Sequence, residues 1–346
     1  MGVVWIILGD MDFLSTDLFF EGASWISMCP WCRANKIESE EDAWASMFDV
    51  HALPFNDFSD DAPWRGTIWR SRDEWLAAHG GIGIVHPFFS IGYLSILSVL
   101  ADILHIMELG IDHYICGSVF WLMCYTDRYF RGIGTPTDRC KELWHRIVRQ
   151  YQGRDTPVQL NTLTVSLFAD ESGPYAHVPC LSGRVKAAAT RHLVPIILSI
   201  WLDVRDPHNE DDNEIAYMLA CLDRFYTIVA DEPYRMNDAQ VEEARQCIRG
   251  ILQTYANLAS KAYYAVPRKL LWHTVPKHHY AEHIADQCSV GNPRYAWTYQ
   301  DEDFMGLIKI IGESCTIGTQ SWKIAKKLLK RWVFGVSYRT CRWVVG

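Results

Sequence analysis

Two hydrophobic rhythms divide this chain. Val3 to Leu8 is an unbroken apolar run closed by Gly9 and Asp10. Such a run predicts a buried strand of the parallel-sheet type with Asp10 at its carboxyl end, although Asp10 would equally suit the cap of a helix starting near Met11. Trp64 to Ala78 predicts a helix rich in Trp and Arg, stopped by Gly80 and Gly81. Gly80 to Ala101 carries no Asp, Glu, Lys or Arg, but His86, Pro87 and its glycines break it, so it predicts buried core rather than a membrane span. Ile111 to Tyr129 has helical spacing, with Ile115, Val119, Leu122 and Met123 on one side. Pro136 opens another helix, over Thr137 to Gln150, with Leu143, Ile147 and Val148 as its apolar face. Leu163 to Ala169 reads as a short strand.

The rhythm then becomes helical throughout. Helices are predicted over Arg184 to Val204, Asp212 to Ala230 and Asp238 to Ala265, the last with Val241, Ala244, Ile248, Ile251, Leu252, Tyr255 and Leu258 in register. Arg294 to Tyr299 predicts a short extended segment leading into a helix opened by Asp301, Glu302 and Asp303, whose charges suit a helix N-terminus. From Thr319 onward there are no acids. Lys323, Lys326, Lys327, Lys330 and Arg331 form one helical stripe, and Trp322, Ala325, Leu329, Trp332 and Val336 another.

At 346 residues and 49% hydrophobic content the chain can bury a large core and is not a disordered polyanion. Its net charge of -8 opposes non-specific attraction to nucleic acid, so any DNA contact requires a local basic patch such as the C-terminal stripe. Eleven cysteines, odd in number and without a secretory leader, predict reduced thiols in a nuclear or cytoplasmic setting, neither secreted nor transmembrane.

Three groups of residues carry chemistry. Asp102 and His105 interrupt an apolar run and would share a helix face, either to orient one another inside a core or to reach a common site. Cys29-Pro-Trp-Cys32 has zinc-ligand spacing, with His51 or His79 as candidate partners, and no second ligand pair follows at the usual distance. His279 and His283 stand four residues apart on a predicted helix; they could bind a metal or serve as ordinary surface histidines.

The order of these stretches resembles transposon-encoded DDE/D transposases with an RNase H-like fold. Asp102-x-x-His105 with Leu109-Gly110 is similar to the [C/D]-x-x-H element of hAT-type and CACTA-type families. Pro276-Lys277-His278-His279 with His283 resembles their P-K-x-H…H segment, and Trp297 to Gly306, containing Glu302 and Phe304, their W-x-F…E-x-F-N-G segment. Gly9-Asp10 and the C-x-x-C stand where such proteins carry a G-D strand end and a cysteine pair.

The resemblance implies a helix-rich α/β architecture, an RNase H-like mixed sheet interrupted by a large all-α insertion. Residues 1–170 would form a partial core, 171–270 the insertion, and 271–346 a return to the core. It implies Asp10 and Glu302 as ligands of catalytic Mg2+ or Mn2+, braced by Asp102 and His105, for DNA cleavage and strand transfer. Only two of three acids are identified and no strand precedes Val3, so a truncated copy with weak or lost catalysis is expected. A non-catalytic DNA- or protein-interaction protein, able to self-associate, and a helical zinc-binding protein are the alternatives.

Overall fold

In the computed structural model the description covers residues 7–331, except 8, 17, 19, 21–22, 38–51, 80–85, 87–88, 90, 93, 171–176, 232, 317 and 319; at 78–79 and 300–308 it covers the backbone alone. The chain divides into two units, Met1–Ala296 and Trp297–Gly346.

The first unit opens with the short helix α1 (Met11–Thr16) and a loop region carrying a 3-10 turn (Pro63–Thr67) and α2 (Arg72–His79). A π-helix (Leu104–Ile111) runs into α3 (Asp112–Tyr125), followed by α4 (Pro136–Gln152), α5 (Ala187–Val204), α6 (Glu210–Asp231), α7 (Asp238–Tyr264) and α8 (Pro276–Gln287). Local chemistry explains the boundaries. Thr135 caps α4 by accepting the Asp138 amide at 3.2 Å, with Pro136 in its first turn. Asn237 and Gln240 form a reciprocal capping box on α7. The α7 stripe predicted from spacing is buried in full, with Tyr255 among the largest enclosed side chains. Trp201 of α5 and Phe225 of α6 fill the same bundle. Gly250 lets α7 approach α6 closely, because a Cβ there would meet the Tyr217 hydroxyl at 2.9 Å and Cys221 Sγ at 3.0 Å.

Ala187–Val204 is the helix among the described residues long and apolar enough to cross a membrane, and half of it lies inside the bundle.

The expected RNase H-like mixed sheet is overturned: among the described residues there is no strand, only isolated bridges. Ile7 makes one parallel bridge to Val99, through Ile7 N to Ser98 O at 2.7 Å and Leu100 N to Ile7 O at 3.1 Å. The rest of Val3 to Leu8 lies outside the described residues. The short strand expected over Leu163 to Ala169 is instead a 3-10 turn at Val165–Leu167, and Pro293–Ala296 is likewise a 3-10 turn where an extended segment was expected. An apolar run reports burial, and burial without alternation does not distinguish a strand from a buried turn or coil.

In the second unit, α9 (Tyr299–Thr316) precedes α10 (321–331). The predicted basic helix forms, with Lys323, Lys326, Lys330 and Arg331 exposed and Lys327 half-buried. On its apolar stripe Trp322 is 75% and Leu329 61% exposed. Leu328 and Arg331, one turn apart, approach Gly312 and Ser314 of α9. Trp332 and Val336 lie outside the described residues.

Candidate metal centre

Cys29 and Cys32 sit on a tight loop whose ends are tied by a bridge between Ser27 and Asn35 and by the Lys36 amide on Ile26 O at 3.1 Å. The Ala34 amide donates to Cys32 Sγ at 3.3 Å, an arrangement that favours the thiolate form of that sulfur. On the opposite side α8 begins at Pro276, and its periodicity puts His279 and His283 one turn apart on one face.

The loop and helix bring four ligand atoms together. Cys29 Sγ lies 3.2 Å from His283 Nε2, Cys32 Sγ 3.2 Å from His279 Nε2, and the two Nε2 atoms 3.3 Å apart. All four atoms fall within 4.8 Å of one another, and all four residues are buried. With metal–sulfur bonds of about 2.3 Å and metal–nitrogen bonds of about 2.0 Å, a tetrahedron has edges of roughly 3.3 to 3.8 Å. The cluster could therefore hold a metal ion with little movement.

Aromatic side chains wall this buried centre. Trp64 meets His279 edge-on at 4.5 Å, and Trp31 lies 5.4 Å from the His283 ring. Trp31 is pinned by its Nε1 on Val99 O at 2.9 Å, and the Tyr280 hydroxyl donates to Met28 O at 2.8 Å. Arg65 lies over the Trp64 ring and forms a two-point ion pair with Glu282, at 2.9 and 3.1 Å, on the helix that carries both histidines. Burial pushes the Cys29 thiol well up, reinforced by Cys32. Burial would also raise Cys32, but hydrogen bonds from Cys29, His279 and His283 and the charge of His279 outweigh it and hold that thiol well below its ordinary range.

The other predicted site residues have local roles. Asp10 caps α1 by accepting the Phe13 amide at 2.7 Å. Asp102 accepts the Leu104 amide at 3.0 Å with one oxygen and contacts His105 Nδ1 at 2.5 Å with the other, so the pair orient each other at the start of the π-helix. Lys277, from the segment that carries the histidines, packs against Gly110 and donates to Leu109 O at 3.4 Å. Burial lowers the Lys277 pKa, while the charges of Cys180, Asp10, Asp12 and Asp102 oppose the shift. The Glu302 side chain lies outside the described residues.

Among those residues the cluster of three or more metal-capable groups is Cys2His2, with no matching group of carboxylates around Asp10 and Asp102. Sulfur and imidazole donors suit zinc, whereas Mg2+ and Mn2+ prefer oxygen, so the expectation of catalytic Mg2+ or Mn2+ has no support in this geometry.

The sequence displays both halves of the centre; the expected partners of the cysteines were His51 or His79, and the described residues bring His279 and His283 to them. His51 and the side chain of His79 lie outside the described residues. A signal for this pairing is present in the sequence: C-x2-C and H-x3-H are each half of a Cys2His2 set, separated here by most of the chain. Comparison with known proteins finds no family model that matches this chain, and no match among curated proteins or solved structures.

Proposed function

We propose that the protein is a zinc-binding helical protein in which Cys29, Cys32, His279 and His283 hold one structural zinc ion. The observation that carries this reading is the convergence of four buried soft donors within 4.8 Å. Four protein ligands close a tetrahedral site and leave no open position for water or substrate, which separates structural from catalytic zinc. The ion would staple the loop at residues 27–36 to α8, two segments that adjoin only after the chain has folded around the bundle.

Purified under reducing conditions, the protein should contain one zinc per chain by elemental analysis. Cobalt in its place should give the visible absorption of a tetrahedral sulfur and nitrogen site. Protein without metal that also takes up none when zinc is supplied would overturn the proposal.

A second reading, a transposon-derived protein that binds DNA without strand transfer, is supported by a separate observation. Two motifs of the transposase resemblance, C-x-x-C and P-K-x-H…H, meet at this centre, and Lys277 of the latter feels the charges of Asp10 and Asp102. The exposed basic stripe of α10 supplies the phosphate-binding side chains such a protein requires. Absence of salt-sensitive binding to duplex DNA would exclude this reading and leave the zinc proposal intact.

A further inference from the structure

We propose that the groove between the end of α4 and α5 is a binding site for a ligand carrying two or more linked phosphates. Arg146, Arg149 and Arg154 line it with Gln150, and Asp203 is its single acid, in an open space of about 480 Å³. The wall thus reverses the sign of a chain whose net charge is -8.

Among the described residues the guanidinium groups of Arg149 and Arg154 form no hydrogen bond or ion pair, and Arg154 is felt only at longer range by Asp223. Arg146 is held in place by Nε on Glu142 at 2.7 Å and by stacking 5.0 Å from the Phe130 ring, which leaves its terminal nitrogens for a ligand. Gln150 is fixed by its amide on Ser199 Oγ at 3.1 Å.

A simpler account exists for part of this. Cations in a last helical turn offset the helix dipole by about 0.3 to 1 kcal/mol. That covers Arg149, but Arg154 lies beyond the end of α4, and the lining of one groove by three arginines does not follow from it. Glu142 pairs with Arg146 and Asp223 acts on Arg154 at longer range, but among the described residues no acid pairs with Arg149, so like charges still face one space and repel each other. An anion would relieve that repulsion.

The chemical class follows from the lining. Guanidinium forks match phosphate oxygens two at a time, and three of them exceed what a single phosphate needs. The lining carries no aromatic ring on which a base could stack, so recognition rests on phosphates alone. Free polyphosphate and a nucleic-acid backbone both present that chemistry.

The test is calorimetric titration of the full chain with inorganic tripolyphosphate, with orthophosphate as the single-phosphate control and a short DNA duplex as the second arm. The duplex arm is repeated in a background where Lys323, Lys326, Lys327 and Lys330 are Ala. Tripolyphosphate should bind more tightly than orthophosphate, and Arg149→Glu with Arg154→Glu should weaken it by about tenfold or more, equivalent to about 1.4 kcal/mol. Arg149→Lys, which keeps the charge and loses the fork, should fall between. Because both arginines are exposed, the variants should stay folded, with only the small drop in unfolding temperature that reversing a charge in the last turn of α4 brings. Duplex binding that tripolyphosphate displaces from the groove identifies a nucleic-acid backbone as the source; tripolyphosphate binding alone identifies a free polyphosphate. Equal affinity of wild type and the double Glu variant for tripolyphosphate would overturn the proposal.

Discussion

Cys29 and His283 are 254 residues apart in sequence and 3.2 Å apart in space. Contacts of such separation close a very long loop, and a bond across it restricts the unfolded chain more than any local contact. A metal ion held by this cluster is therefore expected to govern stability even though the cluster occupies a small part of the molecule.

The first prediction tests that coupling. A chelator should lower the unfolding temperature of the wild type and leave a Cys32→Ser, His283→Ala double variant unmoved. With free zinc one hundredfold above its dissociation constant, the ion adds about 2.7 kcal/mol by mass action. Trp31 and Trp64 touch the ligand histidines, so their fluorescence should change in step with metal removal. Identical chelator responses in wild type and variant would mean that stability does not depend on this centre.

A second concerns acid. His113 is buried, with Nε2 3.1 Å from the Thr190 hydroxyl, and its pKa is lowered to about 4 by burial and then by the charge of Lys277. The unfolded chain takes up this proton near pH 6.5 and the folded chain does not until about pH 4. Stability from the neutral ring is thus fully present above about pH 6.5 and is lost as pH falls toward 4. Between pH 7 and 4.5 the stability advantage of wild type over His113→Gln should shrink by about 2 kcal/mol in urea unfolding. A difference that stays constant over that range would show that His113 titrates normally.

Gly117 supplies a third. A Cβ there would lie 2.6 Å from Cys180 Cα and 2.7 Å from its amide nitrogen, a clash with backbone rather than with a movable side chain. Alanine gains about 1 kcal/mol of helix propensity in α3, and overpacking costs about 1 to 3 kcal/mol. The clash should win, so Gly117→Ala is expected to lose about 1 kcal/mol by chemical denaturation. A variant as stable as the wild type would show that the 179–180 segment yields freely.

The C-terminal stripe gives a fourth. Replacing Lys323, Lys326, Lys327 and Lys330 by Ala should weaken duplex DNA binding and flatten its dependence on salt, since each phosphate contact releases counterions. Thermal unfolding should hardly shift, because three of the four are exposed and the fourth is only half-buried. An unchanged salt slope would make the stripe a solvated surface.

Helical spacing alone determined the helices that build the bundle. The stripe from Val241 to Leu258 and the caps at Thr135 and Asn237 are local features, written within a few residues of where they act. The two halves of the metal centre were equally legible, because C-x2-C and H-x3-H are short-range spacings. Only the tertiary structure decided that these halves come together and that Asp10 and Asp102 accept the amides of Phe13 and Leu104. A one-dimensional pattern states which face a residue takes on its own element. Which distant element meets that face depends on packing of the whole chain, and for Cys29 and His283 that packing spans nearly all of the helical bundle between them.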